Sequence, residues 1–405
     1  SDRKYGTFPS VGLGWALSQE QFMKNISWLD FLKLRLSWGQ NGNRGISSYE
    51  SLSTMDLARY VFGDGGNTSV GLYPTSMANP LLGWETSQSY NLGLDFTLFN
   101  NRLSGNIDLY STKTTDLLLE VSIPSMTGYD KYLTNIGETQ NRGIEVTLNS
   151  ENINTKDFSW STSLNFSANA NKILHLSGED LDGDGKEDDD IGKSRFIGYS
   201  MGSNYNYVFD GIWQEGDDFS IDKSAKPGDI KFKDISGNGS IGPEDRMVLH
   251  NNRPKFTMSM NNMFRYRDFT LSFLLDLRCG GYAANNWINP GTEYYNRCNQ
   301  LDLPYWTPEN PLNDRPSVGY SNPRGYGFYE KLTYLRLQDV SLAYSLPKSL
   351  IQKLTLNNVK VYVSGKNLAT WTGWHGWDPE HASGGRASQN GPLIKSWVLG
   401  LQISL

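Results

Sequence analysis

The feature that most constrains this chain is its spacing: segments of two-residue periodicity are joined alternately by short and by long connections. Tyr90, Leu92, Leu94, Phe96 and Leu98 alternate with Ser89, Asn91, Gly93, Asp95 and Thr97. Phe158, Trp160, Leu164, Phe166 and Ala168 alternate with Ser159, Ser161, Ser163, Asn165 and Ser167. Phe269, Leu271, Phe273, Leu275 and Leu277 share one face, as do Trp397, Leu399, Leu401, Ile403 and Leu405. Similar runs occupy residues 32–42, 103–115, 143–149, 256–264, 333–344 and 359–370, with a shorter one at 8–17. Such alternation is the signature of a strand with one apolar and one polar face. About 11 strands are predicted on this pattern, with a bulge where the phase slips between Leu337 and Val340. The connections at 18–31, 100–101, 151–157, 265–268 and 347–356 are short, whereas those at 43–85, 116–138, 173–254, 282–331 and 371–394 are long. A transmembrane antiparallel β-barrel, with tight turns at one rim and long loops at the other, accounts for both the alternation and its strict order. A soluble sandwich accounts only for the alternation within strands.

Hydropathy agrees with a barrel and excludes a helical membrane protein. The mean hydropathy is −0.51, and no stretch approaches the roughly 18 apolar residues that a spanning helix needs. Barrels have the hydropathy of soluble proteins because every second residue faces water. Aromatic content of 13%, with 41 glycines, fits an all-β chain with long irregular loops. The net charge of −6 and the absence of a basic block speak against nucleic acid as a partner. The opening residues Ser1-Asp2-Arg3-Lys4-Tyr5-Gly6 lack the basic start and apolar core of a signal peptide, so the chain is expected to be part of something longer. An eleventh strand running downward ends Leu405 on the periplasmic side. Eleven strands do not close alone under the even-number rule, but half of a 22-stranded barrel fits.

Two loops have the oxygen spacing of a calcium site. Asp234, Ser236, Asn238, Ser240 and Asp245 fall near positions 1, 3, 5, 7 and 12 of such a loop, with Gly239 at the sharp turn and the Ser240 carbonyl at position 7. Asp180, Asp182, Asp184, Lys186 and Asp188 supply a second, weaker set in which position 12 is Ile191. Ca²⁺ takes six to eight oxygens, so either loop is a candidate for a structural cation; a solvated acidic turn is the alternative. Trp287, Tyr305, Trp306, Trp374 and Trp377 lie in long loops, as candidates for stacking on a sugar or packing on a partner, or else as loop core. Cys279 and Cys298 match no metal spacing, and their pairing as a disulfide stays open. The histidines His175, His250, His375 and His381 accompany no nucleophile pattern, so an enzyme is not expected. No sequence motif calls for an organic cofactor.

Several segments resemble the C-terminal barrel of SusC-like (RagA-like) TonB-dependent transporters. They are Asn79-Pro80-Leu81-Leu82-Gly83-Trp84-Glu85-Thr86 with Leu94-Asp95-Phe96 and Asn101-Arg102-Leu103-Ser104, and Asn135-Ile136-Gly137-Glu138 with Asn141-Arg142-Gly143-Ile144-Glu145-Val146. Pro227-Gly228-Asp229-Ile230-Lys231-Phe232-Lys233-Asp234, and Lys366-Asn367-Leu368-Ala369-Thr370-Trp371 followed by Asp378-Pro379-Glu380, are more particular to that group. The likeness runs along residues 1–405 in order, without the family's signal peptide and plug, and with Leu405 where an aromatic residue is common. It implies an integral protein of the bacterial outer membrane, in contact with outer-membrane lipid, with its long loops at the cell surface. It further implies import of an oligosaccharide or peptide, a SusD-like lipoprotein over the loops, an N-terminal plug and barrel half, and energy from the TonB complex through that part. A passive porin-type barrel and a soluble or surface carbohydrate-binding or adhesin β-protein are the alternatives.

Overall fold

The computed structural model describes residues 5–45, 51–62, 65, 67–122, 126, 128–129, 131–285, 288, 302–347, 351, 356, 358–382 and 393–404. One antiparallel sheet of 11 strands dominates it, with every strand beside its neighbour in sequence among the wall strands. These are β1 (Ser10–Trp15), β2 (Leu29–Asn43), β3 (Glu85–Leu98), β4 (Leu103–Thr115), β5 (Glu138–Asn154) and β6 (Phe158–His175). They continue as β7 (Phe256–Tyr266), β8 (Phe269–Cys279), β9 (Tyr334–Ser345), β10 (Asn358–Thr372) and β11 (Ser396–Ser404). The expected number of strands is therefore found, and the phase slip is a bulge between Leu337 and Asp339. The Asn100-Asn101 turn carries positive φ at Phe99, Asn100 and Asn101. Asparagine tolerates that region better than most residues, and the Asp30 carboxylate accepts the Asn101 backbone N–H at 3.0 Å.

The register turns the sequence alternation into continuous cross-strand rows. Leu36, Leu92, Leu109, Ile144 and Ala168 lie side by side across β2–β6. Below them run Leu34, Leu94, Ile107, Val146, Phe166, Met258, Leu277, Leu335 and Trp371, across β2–β10. These side chains are not a protein core. Leu13 is 69% exposed and Leu399 79%, and Val11, Leu36, Tyr90, Leu92, Leu109, Val363, Trp397 and Leu401 are exposed with them. An apolar patch of this extent is untenable in water, whereas a lipid-facing barrel band about 25 Å tall requires it. Aromatic side chains edge the band. Trp28 stacks on Phe99 and Trp160 on Phe264 near the short-turn rim, while Trp38, Tyr90 and Trp371 lie nearer the long loops.

The inner face is polar. Arg35 donates to Asp95 at 2.8 Å and to Asp108 at 3.0 Å, tying β2, β3 and β4 together. Large inner side chains lie flat over glycines on the neighbouring strand: a Cβ built at Gly93 would meet the Arg35 guanidinium, one at Gly143 the Tyr110 ring, and one at Gly400 the Tyr362 ring.

The long connections, expected as irregular loops, contain regular structure. Short hairpins fold within them: Thr54–Phe62 with Asn67–Ser76, Leu118–Ser122 with Lys131–Asn135, Ser203–Tyr207 with Arg246–Asn251, Phe209–Ile212 with Ile230–Phe232, and Tyr282–Ala284 with Tyr329–Lys331.

Candidate functional site

The long-loop rim carries the only buried apolar cores seen among the described residues. Tyr207, Ile212, Ile230 and Phe232 from residues 176–255 pack with Trp306, Tyr320 and Phe328 from residues 280–333. The two loops are therefore one module. Backbone and side chains cross-tie them: Ile212 N–H donates to Asn313 Oδ1 at 2.9 Å, Ser317 N–H to the Gly228 carbonyl at 2.8 Å, and the Trp306 indole to Gln214 Oε1 at 2.8 Å. Arg324 pairs with the buried Asp222 at 3.0 Å and lies over the Tyr207 ring. Burial pushes the Tyr326 hydroxyl in this module up to about 12, because the phenolate would lose its water.

A second cluster fixes the last loop to the wall. Ala283, Leu332, Trp374 and Ala382 are buried together. Beside them Arg336, on the inner face of β9, donates to both Asp378 oxygens at 2.7 Å and also pairs with Glu380. Fully buried Asn285 donates to Glu330 at 2.7 Å and to the His375 carbonyl at 2.6 Å, and His375 Nδ1 lies 2.6 Å from Glu330. Breaking a buried pair of this kind by removing one partner costs about 3–5 kcal/mol. Sequence reasoning missed this clasp, although an arginine inside a strand run ahead of Asp378-Pro379-Glu380 was a usable signal.

Of the aromatic candidates, Trp306 is 6% exposed and Trp374 7%, so both serve as loop core. Tyr305 and Trp377 remain 47% and 48% exposed. Trp287 lies outside the described residues, as do Cys298 and Leu405.

The two oxygen-rich loops share one hydrogen-bond scheme. Asp234 accepts from Gly237 and Gly239 N–H, as Asp180 does from Gly183 and Gly185 N–H. Their acidic ends differ. Asp245, fully buried, accepts from Ile235, Ser236 and Gly242 N–H at 2.7–2.9 Å. Burial alone would raise its carboxyl, but these donors outweigh it and hold the group below the usual range. Asn238 and Ser240 bond each other, and Asn238 Nδ2 donates to Glu244, while Ser236 Oγ turns to Asp234. In the other loop, one carboxylate oxygen from each of Asp180, Asp182 and Asp188 lies within 4.8 Å of the others. Asp184 accepts from Lys186 N–H, and the Lys186 ammonium lies 3.8 Å from the Asp184 carboxylate. Glu187 anchors this loop to the wall by bonding His175 Nδ1, Leu176 N–H and Gly178 N–H. Burial works against its charge, but those donors keep the Glu187 carboxyl below its usual range.

The hairpin of Thr54–Phe62 with Asn67–Ser76 differs from the buried loop module. Met55, Leu57, Val61, Val70 and Leu72 share one face by register, and all are exposed.

Comparison with known proteins agrees with this architecture. The family described as TonB dependent receptor-like, beta-barrel matches residues 1–368. TonB-dependent receptor P3 of Formosa agariphila is 36% identical over 94% of this chain and 39% of its own length. TonB-dependent receptor SusC of Bacteroides thetaiotaomicron is 31% identical over 99% of this chain and 40% of its own. The RagAB peptide transporter superposes with a TM-score of 0.80 at 25% identity, over 100% of this chain and 44% of that one. The chain thus spans about two fifths of the length of the curated relatives it matches. These relatives are named as receptors and a transporter, and the chain belongs to the TonB-dependent receptor-like β-barrel family.

Proposed function

We propose that the complete protein imports an oligosaccharide or a peptide across the bacterial outer membrane, driven by the TonB complex, and that this chain supplies half of its wall and five surface loops. The observation that carries the reading is the pairing of an outward apolar band with a folded loop module at the long-loop rim. The RagAB peptide transporter supports a peptide as one cargo class, and the relatives named TonB-dependent receptor support the source of energy. The long loops face the cell surface and the short turns the periplasm, with the plug and TonB contact in the N-terminal part. A SusD-like lipoprotein closes over the loops; the exposed apolar face of the hairpin at 54–76 suits such a protein partner. Tyr305 and Trp377 are the aromatic contacts offered to cargo or lid.

The same proposal includes a structural Ca²⁺ at the rim. Asp180, Asp182 and Asp188 have their carboxylates gathered, with the Asp184 side chain and the Lys186 carbonyl at the fitting positions. Asp234, Ser236, Asn238, Ser240 and Asp245 form the companion loop. Terbium luminescence titration of the intact protein is expected to saturate and to weaken about tenfold in Asp182→Asn; an unsaturable signal removes the cation.

The transport reading is tested by affinity purification of the tagged protein from detergent-solubilised outer membrane of its host, with mass spectrometry. Co-purification of a plug-bearing N-terminal part and a SusD-type lipoprotein is expected. Recovery from the soluble fraction alone, without either, overturns the proposal.

A further inference from the structure

The outward face changes character just above the apolar rows of β4–β6. Over Leu109, Ile144 and Ala168 comes the row Ser111, Arg142 and Ala170, and over that the row Gln88, Lys113, Gln140 and Lys172. By strand parity Lys113, Arg142 and Lys172 all point outward, away from the polar inner wall. Adjacent strands lie about 4.8 Å apart, so the two lysines flank Gln140 with backbones about 10 Å apart and Arg142 sits one pleat below.

Their partners are uneven. Lys113 is bonded to Glu138 at 2.6 Å, on the same outward face. Arg142 and Lys172 are exposed, and among the described residues neither side chain has an ion pair or hydrogen bond. The patch is net positive on a chain whose overall charge is −6. A surface that only needed solubility has no use for unpaired cations against lipid, where acidic groups predominate elsewhere on this rim, as at Glu179–Asp190.

We infer that this outward face binds the phosphate of an outer-leaflet membrane lipid, with Arg142 and Lys172 as its cationic ligands, Gln140 between them, and the lipid's chains lying down the Leu109–Ile144–Ala168 rows. The occupant is fixed by complementarity: a phosphate is the anion that a bilayer presents at the upper edge of its apolar layer, and the rows below accept the attached hydrocarbon. Guanidinium and ammonium donors match phosphate oxygens, the former as a fork and the latter as a point charge. The inference rests on the proposed orientation, with the long-loop rim in the outer leaflet.

The test uses the full-length transporter in phosphatidylcholine nanodiscs doped with diphosphorylated lipid A or with its dephosphorylated form, and measures the doped lipid retained per barrel after washing. The parent is expected to retain the phosphorylated form in clear excess. Arg142→Gln with Lys172→Gln is expected to lower retention about tenfold. Lys113→Gln with Glu138→Gln, which leaves the net charge unchanged, is expected to retain most of it. Heat-resistant migration in each variant establishes that the barrel has folded. Equal retention by the parent and the Arg142→Gln, Lys172→Gln protein overturns the inference, and so does equal retention of the two lipid forms. Displacement of the lipid by millimolar inorganic phosphate overturns it too, making the patch a free-anion site. A parent protein that does not enter bilayers at all instead sinks the membrane reading beneath it.

Discussion

The wall and the loop module use the same residue types in opposite ways. In the wall, backbone groups are hidden in the ladders of β1–β11, while Leu13, Leu36, Leu92, Leu399 and Leu401 are left outside. In the module, Ile212, Ile230, Phe232 and Trp306 are buried and the irregular backbone is what meets water. The difference follows from solvent. Lipid cannot satisfy a peptide group but welcomes a leucine, so closure of the hydrogen-bond ladder comes first in the wall. Water satisfies the peptide and rejects the leucine, so the module is held by an ordinary core.

The strongest way to break that comparison is at the clasp joining the two regions. Arg336→Met leaves Asp378 buried without its cation and is expected to cost about 3–5 kcal/mol locally. Hydrogen exchange across residues 372–382 should rise by orders of magnitude while β1–β6 stay protected; unchanged exchange would show that the loop is held otherwise. Ile212→Ala removes core from the module, at about 2–5 kcal/mol. Limited proteolysis within 200–250 should accelerate with no change in the barrel's heat-resistant migration, and a loss of that migration would make wall and module one folding unit. Ile107→Arg puts the same order of penalty, about 2–4 kcal/mol, on the lipid face. Here the folded fraction in bilayers should drop with the module's protease pattern unaltered in whatever folds.

The smallest expected effect concerns pH. The Asp245 carboxyl is depressed in the folded loop, so its contribution is present above the unfolded carboxylate value of about 3.9 and is lost as pH falls through the lower folded value. Exchange at residues 234–251 should therefore stay slow at pH 5 and rise only under more acidic conditions. In Asp245→Asn it should be faster already at pH 7, by an opening free energy of about 1–3 kcal/mol. A profile identical to the parent's would remove the carboxylate from the account of this loop.

What the sequence discloses follows the same division. The wall strands are legible because lipid on one side and a polar interior on the other impose period two over ten or more residues, as in β3 and β6. Even the bulge beyond Leu337 is visible, since an apolar run betrays a change of phase. The bulge opposite Trp160 and Ser161 is silent, because Ser150, Glu151 and Asn152 have no apolar phase to lose. Loop hairpins escape for a different reason: Tyr282–Ala284 and Tyr329–Lys331 are three residues each, joined across the chain by more than forty residues. Nor does a tryptophan in a loop announce its surroundings. Trp306 and Trp377 read alike in sequence, yet one fills a core and the other is half exposed. Oxygen spacing favours the loop at Asp234, while the fold turns Asp245 onto backbone donors and gathers carboxylates around Asp180. Spacing fixes which groups can meet, and the local donors decide where each one points.

The flat-lying side chains of the inner wall bear on how such an interior can be widened or narrowed over evolutionary time. A tyrosine stretched across a glycine adds little thickness, whereas the same ring propped up by a neighbouring methyl group would stand into the bore. At Gly143 and Gly400, beneath Tyr110 and Tyr362, exchange for alanine puts a carbon within 2.5 Å of ring atoms. Interior clearance is thus set partly by the smallest residues present: at Gly400 an added methyl would lift the Tyr362 ring, whereas at Gly143 it would also press on the Ala168 carbonyl of the next strand and strain the wall itself.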